Sequence, residues 1–261
     1  MSPIFALWGR ILRTRADVYV QMLLTVVGAA LLVGLVGLMA VAAHGQGYGL
    51  VILIGVVAVV AELAFGYGAA LGALGEAARG DAPTSFWVRG YRLWGRTLGL
   101  FGVDLLVGIV LTIVILILLA ATGSFSGLSH IVTSPATVSV AAVRRLSAVV
   151  GIIVFVLVIV VGPYMQAAQA IVYVSEVPVL PAFGQAFTEA YGRGRFGHWL
   201  LALLIAVVLD LVASLIEQLL GTPGQLLGIL LSPAVLWVST ALAFAVYRTH
   251  SLGSAPADII S

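Results

Sequence analysis

RGDAPTSFWVRGYRLWGRTLGLFGVD, residues Arg79 to Asp104, lies between two long apolar runs. Read as a helix from Pro83, it places Arg89, Arg92 and Arg96 on one narrow arc, because residues three and seven apart share a helical face. Phe86, Leu93 and Trp94 cover the opposite side, with Trp87 and Tyr91 at its edges. A short helix with an arginine stripe and an aromatic face, leading straight into an apolar run, has the make-up of a segment lying in a membrane interface. Arg89, Arg92 and Arg96 are therefore candidate lipid-headgroup contacts.

The rest of the chain agrees. Of its 261 residues, 62% are hydrophobic and 8% charged, and the mean hydropathy is +1.20. Soluble domains carry about 25% charged residues, so this chain cannot cover a water-facing surface and its solvent is a bilayer. The 12 basic residues are all arginine, and the net charge is +2. They sit beside apolar runs, where membrane topology accounts for them, which argues against nucleic-acid binding. Absence of cysteine excludes disulfides and thiolate metal sites.

Six apolar runs are long enough to span a core of about 30 Å: Val18 to Ala43, Leu50 to Leu74, Leu98 to Ala121, Ser147 to Val174, Gly197 to Leu220 and Gln225 to Tyr247. The first exceeds the roughly 7–15 apolar residues of a signal peptide and is read as a span. In the second, Ala64, Gly68 and Gly72 form a small-residue ridge that suits close packing within the chain. Pro163 interrupts the fourth and should kink it. Thr122 to Val140 reads as an extramembrane loop, with a helix start at Ser134 and Pro135. Arg10, Arg13, Arg15, Arg79, Arg89, Arg92, Arg96, Arg193, Arg195 and Arg248 fall on one side of this topology, and Arg144 and Arg145 on the other. Positively charged residues favour the cytoplasm, so both termini are expected there, in a multi-pass protein of the cell membrane.

The order of amphipathic segment, span, connection and span occurs three times, starting at Pro3, Pro83 and Pro181. The first segment carries Phe5, Trp8 and Leu12 opposite Arg10 and Arg13; the last carries Phe183, Phe187 and Tyr191, with Glu189 and Arg193 spaced to pair. The expected fold is all-α: one polytopic six-span membrane bundle with three interfacial amphipathic helices, over residues 1–250, and a short flexible tail at 251–261. The parallel repeat units cover about 1–75, 79–175 and 178–250.

Arg79-Gly80-Asp81-Ala82-Pro83 after a span, and Gly162-Pro163-Tyr164 through Tyr173 to Pro181 before the next amphipathic segment, carry a resemblance. In these residues the chain resembles prokaryotic six-span membrane proteins related to the membrane domain of glycerophosphodiester phosphodiesterases. The resemblance implies the six-span layout and a link to the envelope or its lipids. It carries over no catalytic residue, since no hydrolase domain is present.

The residues themselves supply no catalytic constellation. His44, His130, His198 and His250 are scattered and lack metal-ligand spacing. A Gly-x-Ser-x-Gly nucleophile motif is missing, since Phe125 stands in the Ser position between Gly123 and Gly127. Without lysine, a phosphate-binding loop of the Gly-rich Lys type cannot be built. No catalytic, cofactor or metal residue is assigned. The intramembrane polar groups are more informative. Glu62 and Asp210 fall near the middle of spans two and five, and Asp104 and Gln166 lie closer to the edge of theirs. A carboxylate at the bilayer centre costs up to about 3 kcal/mol unless paired, protonated or hydrated. These four form the candidate intramembrane polar site. They serve either as hydrogen-bonded structural groups or as a track for a cation, proton or amphiphile, and the acids are expected to face away from lipid. Glu217 is expected to pair with Arg144 or Arg145. The expected function is non-enzymatic: a lipid-associated envelope protein or accessory subunit of a membrane complex, with membrane lipids and other membrane subunits as partners. The alternative is a small transporter or permease subunit that uses the intramembrane carboxylates.

Overall fold

The amphipathic segments and the spans join differently at the three places where they meet. The structure, a computed structural model, describes residues 3–42, 47–121 and 140–253, and these form eight helices and no strand. α1 (Pro3–Thr14) and α2 (Asp17–Ala42) are separated by a turn at Arg15. α3 (Tyr48–Arg79) ends at Gly80, whose φ of 85° puts it in the left-handed region that a Cβ disfavours. α4 (Phe86–Ala121) and α5 (Val140–Val174) follow. α6 (Val179–Tyr191) and α7 (Phe196–Leu220) are separated by a turn containing Gly194 at φ 78°, and α8 (Thr222–Gly253) closes the chain. α2, α3, α4, α5 over Ser147–Val174, α7, and α8 over Leu227–Leu252 are each long and apolar enough to cross a membrane.

The middle amphipathic segment is not a separate helix. It forms the first turns of α4, which has 36 residues where about 20 suffice to span. Gly95 and Gly99 weaken a helix by only about 1 kcal/mol each, and no proline follows Pro83 to stop it. The Thr97 hydroxyl donates back to the Leu93 carbonyl at 3.0 Å inside the continuous helix. At the other end, α8 runs as far as Gly253, into the segment expected as a tail from residue 251.

The helices fall into two compact units, residues 1–100 with 164–261, and residues 101–163. In the first, α8 packs against α1, α2, α3 and α7. Ala241, Leu242, Ala243, Phe244, Ala245 and Val246 give it a buried turn with no polar side chain. α1 packs on this helix through Ile4, Leu7 and Ile11. That is one residue round from the expected stripe: Phe5 is exposed, and Trp8 and Leu12 are half-buried. The Trp8 indole donates to the Val238 carbonyl at 3.0 Å.

α3 meets three neighbours through residues without bulk. The expected ridge packs within the chain: Ala64 is buried, and Gly68 and Gly72 leave room for Leu93 and Thr97 of α4. Gly66 accommodates Thr25 of α2, and Gly75 lies under the backbone of Tyr173 in α5. The second unit holds the remaining parts of α4 and α5, where Leu105, Ile109, Val110, Ile152, Phe155 and Val156 are exposed, as residues facing acyl chains should be. α5 runs on through Pro163, where the two units divide.

Candidate functional site

The loop from Gly80 to Ser85 folds back over Glu76. Gly80 and Asp81 donate their backbone N–H groups to the Glu76 carbonyl, both at 2.9 Å, closing the end of α3. Thr84 takes the side chain: its backbone N–H reaches Glu76 Oε2 at 3.2 Å and its hydroxyl reaches Oε1 at 2.5 Å. Arginines complete the shell. Arg89 Nη1 lies 3.3 Å from Glu76 Oε2, Arg92 Nη2 lies 3.1 Å from Oε1, and Arg15 Nη1 lies 3.7 Å from Oε2. Five donor groups thus surround one buried carboxylate, which satisfies the condition for keeping such a charge away from water.

Arg89 is equally enclosed. Its Nε donates to the Ala69 carbonyl at 2.9 Å, Nη1 also donates to the Thr84 carbonyl, and Nη2 donates to Gln21 Oε1 at 3.4 Å. Arg15 grips both oxygens of Asp17 at 3.1 Å and reaches the Ala73 carbonyl at 3.3 Å. Arg92 bridges to Glu176 at 3.2 Å, which Arg79 approaches at 3.1 Å and Arg96 at 3.9 Å. Among the described residues Glu176 is the one non-glycine residue with positive φ (54°), just past the end of α5. That conformation costs about 1–2 kcal/mol, which three guanidinium groups around its carboxylate offset.

The arginine stripe of α4 therefore faces protein carboxylates, and the aromatic side faces outward. Trp87 is 65% exposed and Tyr91 is 73% exposed. Of the three expected headgroup contacts, Arg92 and Arg96 are engaged by Glu176, while Arg89 still lines a cleft. That cleft, about 560 Å³, is bounded by Arg13, Arg15, Asp17, Gln21, Thr84 and Arg89, among others. Asp17 and Glu76 pair with Arg15 and Arg89, so the surplus positive charge of the cleft is that of Arg13. Arg13, the most accessible, donates among the described residues to the Gly9 carbonyl alone, at 3.1 Å. The first turns of α2 and α4 both border the cleft, adding the positive ends of two helix dipoles.

A second groove of about 380 Å³ adjoins it, sharing Gln21 and Phe86. Leu24, Thr25, Glu62, Phe65, Gly66 and Trp87 complete its walls. Here lies the first member of the expected intramembrane polar site. A Cβ on Gly28 would come 2.9 Å from Glu62 Oε1, so the carboxyl sits in the seam between α2 and α3. Glu62 Oε2 is buried and has no hydrogen-bond partner. Gln166 Oε1, elsewhere in the first unit, is in the same condition.

Neither Gln166 nor Asp210, the other expected members in the first unit, lines that groove. Asp210 and Asp104 are exposed, whereas Glu62 is half-buried. Glu217 lies over Gly228 of α8 instead of reaching outward. Arg144, of the second unit, is exposed, and the side chain of Arg145 lies outside the described residues. His44, His130, the helix start at Ser134 and most of the loop from Thr122 also lie outside them.

Glu189 pairs with Arg195 at 2.5 Å, not with Arg193. Spacing along a helix no longer applies at Arg193, because α6 ends at Tyr191 and Gly192 is extended at ψ 152°. The other Glu189 oxygen meets His250 Nδ1 at 2.7 Å, and His250 Nε2 meets His198 Nδ1 at 3.0 Å. These two histidines thus hold each other and a carboxylate. Tyr191, at the end of α6, has its phenol pushed up by burial first, then by the nearby Tyr164.

Sequence reasoning missed Glu76, Glu176, Arg15 and Gln21. A visible signal existed for Glu76: it is the lone acid in an alanine- and glycine-rich stretch directly before Arg79-Gly80-Asp81. Compared with protein-family models, curated proteins and solved structures, the chain matches none.

Proposed function

We propose that this chain is a non-enzymatic protein of the cell membrane that holds an anionic lipid headgroup in the cleft formed by Arg13, Arg15 and Arg89. The observation that carries this reading is the junction of two unlike cavities. A positive cleft at two helix starts opens beside an apolar groove, and the two share Gln21 and Phe86. An amphiphile has that same order of charge and hydrocarbon. The outward aromatics Trp87 and Tyr91 suit the headgroup level of a bilayer.

In this reading both termini and the cleft are cytoplasmic, where anionic lipids attract arginine by about 1 kcal/mol per residue. α1, α6 and the start of α4 lie at that interface as members of three parallel repeats. The link to envelope lipids also agrees with the resemblance carried by Arg79 to Pro83, and a role as accessory subunit of a lipid-handling complex follows from it.

Arg13→Gln tests the proposal, because Arg13 stands outside the ion pairs among the described residues. Loss of one such cation should lower retention of anionic lipid about fivefold. Native mass spectrometry of protein extracted with its lipids reads this directly. Equal lipid retention by the variant and the parent would reject the cleft as a headgroup site.

A further inference from the structure

We infer that the groove around Glu62 is a binding site for an amphiphilic organic cation. This goes beyond the headgroup cleft: it gives the groove beside that cleft an occupant of its own, in place of a lipid's hydrocarbon. The groove joins one carboxyl to a cluster of aromatic rings. Phe65 and Phe86 lie 5.7 Å apart edge to face, Phe65 and Trp87 5.5 Å apart, and Phe86 and Trp87 5.7 Å apart edge to face. All three rings line the same groove as Glu62.

The carboxyl is short of donors. Oε2 is buried without a hydrogen bond, and the neighbouring donors on the wall are engaged elsewhere. The Thr25 hydroxyl donates to the Gln21 carbonyl at 2.9 Å, and the Gln21 amide donates to Asp17 at 2.7 Å. A carboxylate within a span needs a partner, and ring faces attract cations lacking a full water shell. An ammonium or phosphonium with hydrocarbon substituents meets both demands. An inorganic cation is served less well, because the side-chain oxygens of Gln21 and Thr25 already take part in hydrogen bonds and the walls at Leu24, Phe65, Gly66, Phe86 and Trp87 offer no ligating side chain. The volume of about 380 Å³ fits the cationic head of such a molecule, and the shared Gln21 and Phe86 place it next to the positive cleft without entering it.

The test uses the full chain in a neutral detergent and a pair of probes with one shape and opposite charge. Tetraphenylphosphonium should bind saturably in equilibrium dialysis, and tetraphenylborate should not displace it. Glu62→Gln, which keeps the shape, should weaken tetraphenylphosphonium binding about tenfold or more. Trp87→Leu, at an exposed side chain that the core does not need, should weaken it about threefold. Should Glu62→Gln fail to fold, Trp87→Leu and the charge-reversed probe decide the matter alone. Binding unchanged in Trp87→Leu, or equal affinity for tetraphenylborate, overturns the inference and leaves a plain acyl-chain groove. Arg13→Gln should leave phosphonium binding intact, so failure of the headgroup proposal and failure of this one give different results.

Discussion

The Glu76 carboxylate and the Arg89 guanidinium lie 3.3 Å apart, and each side chain is 2% exposed. Glu76→Ala leaves Arg89 charged and enclosed, which should cost about 3–5 kcal/mol. Arg92→Gln removes a pair whose arginine is 37% exposed, so water screens it and the loss should stay near 1 kcal/mol or below. Thermal unfolding in detergent separates the two. Equal shifts would mean that Arg89 finds water once Glu76 is gone.

Gly75 and Gly95 should respond in opposite directions to alanine. A Cβ at Gly75 meets the backbone carbonyl of Tyr173, which cannot move without its helix, whereas Gly95 has open space around it. Gly75→Ala should destabilise by about 1–3 kcal/mol through overpacking. Gly95→Ala should stabilise by up to about 1 kcal/mol through helix propensity. The midpoint of thermal unfolding checks both, and a stabilised Gly75→Ala would contradict the close approach of α3 and α5.

Glu189 distinguishes two arginines that the sequence leaves equivalent. Arg195→Gln should destabilise by about 1–2 kcal/mol, because it removes a charge-assisted bond to a buried carboxylate. Arg193→Gln should change nothing measurable. The reverse ranking in the same unfolding assay would restore the pairing by helical spacing.

Six spans with cytoplasmic ends require a topology reporter to be active in the cytoplasm at both termini. A reporter inserted between Thr122 and Ser139 should read as external. An external C-terminus is incompatible with an even number of spans and a cytoplasmic start.

The spans were legible because length and hydropathy alone set them, and the Ala64, Gly68 and Gly72 ridge was legible because only small residues permit close approach. The facing of the arginines was not. A stripe of Arg89, Arg92 and Arg96 reads the same whether it meets phosphates or carboxylates, and its partners Glu76 and Glu176 lie on other helices. Local rules failed where helices ended unexpectedly. α6 stops before Arg193, and α4 continues past Arg96, so spacing predicted a pair that is absent and a boundary that does not form. Of the intramembrane acids, Glu62 was found in a groove, but no local pattern tells an inward acid from the outward Asp210.

The seating of α1 on α8 has a bearing on how the protein is made. Trp8 finds the Val238 carbonyl 230 positions along the chain, and Ile4, Leu7 and Ile11 join the same core as Phe244. During synthesis α1 is made before α8 and reaches this seat only after about 230 further residues have been added. At the roughly 5–20 residues per second of translation, that interval is on the order of ten seconds or more. Throughout it, the apolar side of α1 is bare, and a membrane chaperone or protease can read it as the mark of an unfinished chain. Arrival of α8 erases the mark, so a contact between residues 230 positions apart also reports that α8 is in place.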